Sequence, residues 1–337
     1  MKKKSLALFI VLALVLSLVL SSVPTMAAED TSSGTFSNNN PPSIDYVKLY
    51  DTETTPAEVS AMTPQVEYNV RVKVTDADAL ADLTTIVVKV WYDADGGTPT
   101  SGEYDAIAAG NAQTAIIITY TQGTPTWELT EEADSSWDLG TCVEPGDLSG
   151  EFQFKFTAGK VATETATANG WQVAAKVTDD SAETDWDYDA QGSTMAWYGE
   201  INVPDSNTVD WGLVNPGMDW AEGDPSEESL GVTVNYISNG AYDEKVKSSA
   251  TWTGSATATL SADAGAANQF ALKADDDDTL TDAVVVDATG VTIDDAGTLT
   301  AEAGDDAANN SLWLKLNATF TKAVYTGTLT YIIADGS

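Results

Sequence analysis

The stretch EYNVRVKVT, Glu67 to Thr75, decides the fold class. Tyr68, Val70, Val72 and Val74 fall on one side of it. Glu67, Asn69, Arg71, Lys73 and Thr75 fall on the other. A strand turns successive side chains to opposite faces, so this alternation predicts a strand with one buried face. The pattern recurs along the chain. Phe152, Phe154 and Phe156 alternate in EFQFKFT, and Trp171, Val173, Ala175 and Val177 in WQVAAKVT. Leu312, Leu314 and Leu316 do so in SLWLKLN, and Leu329, Tyr331 and Ile333 in TLTYIIA. The β-branched runs IVVKV (86–90) and AIIITY (115–120) read as central strands. Turn signals such as DADGG, TQGTP, EPGD and DDAG lie between them. Closely spaced strands with no helical stretch predict an all-β fold built of β-sandwiches.

Pro204 and polar residues interrupt the pattern in INVPDSNT. The chain is therefore read as a first sandwich domain at 43–200, a linker at 201–208 and a second at 209–337. Ahead of these, Lys2, Lys3 and Lys4 precede an apolar run from Leu6 to Leu20, and small residues follow near Ala27. That three-part pattern reads as a cleaved secretory signal peptide at 1–27. Its apolar run is shorter than the roughly 20 residues a spanning helix needs; an uncleaved N-terminal anchor is the alternative. The mature chain is expected outside the cell, with no membrane span. Residues 28–42, AEDTSSGTFSNNNPP, read as a flexible polar leader.

Acidity is the second strong signal. The signal segment holds three of the 15 basic residues and none of the 52 acidic ones, so the mature chain carries 12 against 52, a net charge of −40. Such a surface repels nucleic acid, whose binding rests on cationic contacts to phosphate. It attracts divalent cations; a saline habitat is the other explanation of the charge. There is no histidine, which removes Ser-His triads and zinc sites of the usual His/Cys type. Cys142 is the single cysteine, so no disulfide forms within one chain. It reads as a buried thiol or as a link between subunits.

The second half has a recognisable shape. VDWGLVNPG (209–217) precedes LGVTVNYISNG (230–240), and SLWLKLNATFTKAVYTGTLTYIIA forms the last hairpin. An aromatic-Gly-x-Val-x-Pro-Gly opening followed by such a strand resembles the immunoglobulin-like modules of the ASPM-SPD2-Hydin type, which occur in secreted prokaryotic surface proteins. The acidic insert MDWAEGDPSEES (218–229) departs from that pattern. The resemblance implies a seven-stranded sandwich with a scaffold role and no catalytic residue. The first half reads as a looser relative. Two immunoglobulin-like domains are thus expected.

Several constellations are candidates for chemistry. WYDADGGTPTSGEYDA (91–106) invites a calcium reading, because Ca²⁺ takes six to eight oxygen ligands. Counted as an EF-hand loop from Asp93, Asp95 fits position 3, but Gly97, Thr98 and Tyr104 stand at positions 5, 6 and 12. Asp93 and Asp95 remain a weaker calcium candidate in a glycine-assisted turn. KVTD ends two alternating strands, at Lys73–Asp76 and Lys176–Asp179. In an immunoglobulin-like order these are the second and sixth strands, whose exits share one end of the sandwich. Asp76, Asp78, Asp179 and Asp180 are then expected to converge as a calcium site, with the Asp93 loop at the opposite end. ADDDDTLTDA (274–283) reads as a solvated loop. Trp91 and Trp313 lie out of phase with their strands' apolar neighbours and are candidates for stacking on glycans, or for packing. Asn309 and Asn317 head N-x-[ST] sequons. Carboxylate pairs beside tryptophan, such as Trp186/Asp187, leave a glycoside-acting enzyme as a third reading.

The expected function is non-catalytic: a secreted structural protein of the cell surface, assembling with itself and divalent cations into an S-layer, sheath or extracellular filament. A carbohydrate-binding or adhesive module that recognises cell-surface glycans is the alternative.

Overall fold

A computed structural model of the chain describes residues 33–35, 38–53, 55–108, 111–130, 136–145, 149–204, 208–222, 231–277, 279–294 and 306–336. The expected signal peptide and most of the expected leader lie outside them. Residues Asn40–Ser337 form one compact unit.

The fold is all-β, with 17 strands longer than two residues among the described residues. The first half holds β1 (Ser43–Asp51), β2 (Glu67–Thr75), β3 (Leu83–Tyr92), β4 (Ala115–Thr121), β5 (Thr126–Thr130), β6 (Ser149–Thr157), β7 (Trp171–Asp179) and β8 (Thr184–Tyr188). One sheet runs β1–β2–β6 and ends on Asp138–Leu139. The other runs β8–β7–β3–β4–β5. All these pairings are antiparallel. The predicted alternation decides which side chains meet between the sheets. Val70, Val72, Val74, Phe152, Phe154 and Phe156 from one sheet join Ile86, Val88, Val90, Val173, Ala175 and Val177 from the other. All are almost fully buried. Truncating one of these phenylalanines to alanine costs roughly 3–5 kcal/mol in lost burial and cavity.

Carboxylates join the sheets at one margin. The Ile44 and Leu49 amides of β1 donate to Asp185 at 2.7 Å and to Asp189 at 2.8 Å. Edge N–H groups left free would recruit another strand, and these bonds occupy two of them.

The second half contains β9 (Gly199–Asn202), β10 (Val232–Ser238), β11 (Tyr242–Ser248), β12 (Thr251–Gly254), β13 (Thr257–Leu260), β14 (Gln269–Asp275), β15 (Val291–Asp294), β16 (Asp306–Leu316) and β17 (Leu329–Asp335). A nine-stranded sheet follows the path β9–β10–β16–β14–β13–β12 to Tyr325–Thr326, and a three-stranded sheet runs β15–β11–β17. Their shared core holds Val232, Val234, Val246, Leu272, Leu312 and Tyr331. β13 and β14 pair in parallel.

Two expectations need correction. Gly199–Asn202, read as the end of one domain and the start of a linker, pairs with β10 as an edge strand of the nine-stranded sheet. Within the stretch read as a turn, Ser101–Ala106 form a helix, α1. Its start is a capping box. The Thr100 hydroxyl accepts from the Glu103 amide at 3.3 Å, and the Glu103 carboxylate accepts from the Thr100 amide at 2.7 Å.

Candidate functional site: an acidic strand end and an aromatic cleft

β3 and β7 run antiparallel, with Leu83 opposite Asp179 at one end and Tyr92 opposite Trp171 at the other. β2 exits at the first of these ends. The structure therefore brings the two KVTD exits together. The Asp180 amide donates to the Asp82 carbonyl at 2.8 Å. Partial burial, and then the charges of Asp180, Asp76, Asp78 and Asp179, hold the Asp82 carboxyl above its ordinary range. The charges of all four candidate carboxylates are thus felt at a fifth, Asp82.

Each partner also has local work. Asp76 accepts from the Asp78 amide at 2.9 Å, and Asp179 from the amides of Ser181 at 2.9 Å and Glu183 at 2.8 Å. These are Asx turns, in which a short carboxylate satisfies the backbone two or more residues on. Asp78 accepts from the Asn40 amide at 2.8 Å and from its side chain at 3.0 Å. Asp76 and Asp179 are buried, and Asp180 is exposed. Among the described residues, no three or more acidic or cysteine side chains are arranged to hold a metal ion. The cluster is a region of strong negative potential rather than a closed coordination shell.

Asp93 lies at the opposite end. Its amide donates to the Gly170 carbonyl at 2.7 Å, and its carboxylate accepts from the amides of Asp95 at 3.1 Å and Gly97 at 3.0 Å. Gly96 supplies the left-handed φ of 61° that closes the turn. Asp93 and Asp95 are parts of a turn that leads into α1.

That helix overturns the stacking role read for Trp91. Trp91 does lie on the face of β3 opposite Val88 and Val90, but it is 4% exposed, packed with Tyr104, Ala115 and Ala174. Lys89, on the same face, pins the helix. Its ammonium donates to the carbonyls of Tyr104 at 2.7 Å and Ile107 at 2.8 Å and lies 4.5 Å from the Tyr104 ring centre. Burial lowers the Lys89 pKa. Trp313 is 1% exposed, so it offers no face to a sugar either. For Trp91 strand phase located the outer face, and α1 covers it.

A cleft lined by half-buried and buried aromatic residues lies elsewhere. A cavity of about 530 Å³ opens between the loop 209–216 and the loop 320–325, over Trp252, Phe270 and Leu314. Such a volume is typical of a small-molecule site. Trp211 rests on Trp252 with ring centres 5.7 Å apart, and Phe320 meets Tyr325 edge-on at 5.1 Å. The Trp211 indole N–H is buried without a partner. Leu213 and Val324, at 89% and 84% exposure, stand on the rim. Asp210, Asn215, Thr321 and Lys322 add polar groups. Sequence reasoning used VDWGLVNPG only for a resemblance. Its one available signal was Trp211, Leu213 and Val214 in a stretch without strand alternation.

Asn309 is exposed on β16, where its side-chain oxygen accepts from the Thr233 hydroxyl at 2.7 Å. Asn317 is already engaged: its amide nitrogen, the atom a glycan would use, donates to the Ala264 carbonyl at 2.7 Å. The Cys142 thiol is half-buried, and burial raises its pKa.

Neither a family model nor a curated protein matches the chain. Among solved structures, the chain is similar to the C-terminal globular domain of an oligosaccharyltransferase from Pyrococcus abyssi, with 9% identity over 87% of this chain and a TM-score of 0.18. The chain spans 47% of that structure. At that score the likeness carries no argument.

Proposed function

We propose that this protein is a non-catalytic structural component of the cell surface, exported by its N-terminal segment. In this reading its copies assemble, with divalent cations such as calcium, into an S-layer, sheath or extracellular filament. The observation that carries the reading is the meeting of the two KVTD strand exits, where Leu83 stands opposite Asp179 and the Asp180 amide bonds the Asp82 carbonyl, in a chain of net charge −37. Like charges at one strand end oppose close packing of copies, and a bound cation relieves that repulsion. The strand order β1–β2–β6 against β8–β7–β3–β4–β5 supports an immunoglobulin-like sandwich for the first half.

Electron microscopy of the mature chain tests the proposal. Ordered sheets or fibres are expected in millimolar calcium, and dispersed particles in chelator. Particles that stay monomeric in both would sink it. Calcium is also expected to raise the melting temperature, and Asp180→Asn to shrink that rise.

A carbohydrate-binding role is the second reading, favoured by the aromatic cleft. Trp211 and Tyr325 offer ring faces, and Asp210, Asn215 and Thr321 offer polar partners for hydroxyl groups. Binding on a glycan array is then expected, and Trp211→Ala should abolish it. An array on which the wild type binds nothing removes this reading.

A further inference from the structure

The core of the second half contains a polar pair that the proposed assembly does not use. Glu244 on β11 and Asn310 on β16 approach each other from different sheets, at 1% and 0% exposure. The Asn310 side-chain nitrogen donates to Glu244 Oε1 at 2.6 Å. The other two oxygens, Glu244 Oε2 and Asn310 Oδ1, are buried with no partner, as is the Tyr331 hydroxyl on β17. Native interiors seldom leave such atoms unpaired.

An ionised carboxylate only accepts hydrogen bonds, and so does an amide oxygen. With Glu244 charged, its Oε2 and Asn310 Oδ1 cannot bond each other, because both only accept. A single proton on Oε2 changes that. The acid O–H then donates to the amide oxygen while the amide N–H donates to Oε1, and two unpaired atoms are satisfied at once. The other groups around Glu244 favour the proton. Asp294 on β15 and Asp276, just past β14, act on it as negative charges. Tyr331 faces it from β17, and Tyr242, on its own strand, donates to Asp294 at 3.3 Å. No lysine or arginine among the described residues pairs with it.

We propose that Glu244 is protonated in the folded protein and forms with Asn310 a neutral acid–amide latch between the two sheets, which loosens when the proton leaves to solvent. Burial first, then Asp294 and Asp276, push the carboxyl up to about 7, against the lowering effect of Asn310. In the unfolded chain a glutamate titrates near about 4.3. The folded state therefore holds the proton where the unfolded state has lost it. Stability from the latch is full below the unfolded value and falls as pH rises through the folded value.

Glu244→Gln tests this in the mature chain, because glutamine reproduces the donor and acceptor of the protonated acid. Urea unfolding would be followed from pH 5 to pH 8 for both proteins. The folding constant of the variant relative to wild type should climb by up to about a hundredfold between pH 5 and pH 7, about tenfold per unit, and then level off. Asp275, raised by burial and by its hydrogen-bonded neighbour Asp277, titrates in both proteins and cancels in the ratio. A ratio that stays flat across the range overturns the proposal. If the variant does not fold, carbon-13 NMR of glutamate-labelled wild type gives a second measurement. A carboxyl with a midpoint near 7 is expected, and the absence of any glutamate titrating above pH 6 overturns the latch.

Discussion

Lys89 carries a charge into a site that is only 8% exposed. It is held there by two carbonyls at the end of α1: that of Tyr104, which also accepts from the Ile107 amide at 3.3 Å, and that of Ile107. Lys89→Met keeps the aliphatic stem but removes both bonds. The expected cost is about 1–3 kcal/mol for the Ile107 carbonyl left unpaired, read as a lower urea midpoint with an unchanged slope. Freeing α1 should also expose Trp91, seen as a red shift of its fluorescence. An unchanged midpoint would mean that water replaces the ammonium without penalty. In the sequence Lys89 was one residue of a β-branched run. Nothing local marked it as the anchor of a helix that begins twelve residues later.

At the scale of the element, α1 marks the limit of reading by period. Six residues are too few to display a helical repeat. The cue was present as Thr100 followed three residues later by Glu103, but the preceding glycines and Pro99 pointed to a turn. Thr100→Ala removes the cap, with an expected loss of about 1 kcal/mol. Faster hydrogen exchange at the Glu103 amide would report it, and unchanged exchange there would count against the cap. The strands behaved differently. Alternation in EYNVRVKVT, EFQFKFT and WQVAAKVT located each strand because one buried face every second residue is a local pattern. It did not reveal that Gly199–Asn202 would pair with β10, since partner choice depends on an edge formed some 30 residues away.

For the whole molecule, charge matters most. Many aspartates have a job within their own turn: Asp76, Asp93, Asp179, Asp189, Asp210, Asp263 and Asp287 each accept from a backbone amide two residues on. Turn formation thus accounts for part of the acidity without any ligand. The repulsion near Asp82 is left over, and under the proposed function it is what a bound cation would relieve. A cation bound only by the folded state, at one hundred times its dissociation constant, stabilises by about 2.7 kcal/mol; scattered counterions screened by salt contribute far less. A melting shift produced equally by sodium at matched ionic strength would point to screening alone. Composition and periodicity by themselves determined the all-β class, the acidic character and the absence of histidine chemistry, because each is a sum over residues or a repeat of two. They also placed the KVTD exits at one end, through an assumed strand order. Only the tertiary structure decided that Trp91 and Trp313 are buried, that an aromatic-lined cleft forms at Trp211, and that Glu244 meets Asn310. Those outcomes depend on which distant segment packs over a given face, and a face in the sequence carries no record of what covers it.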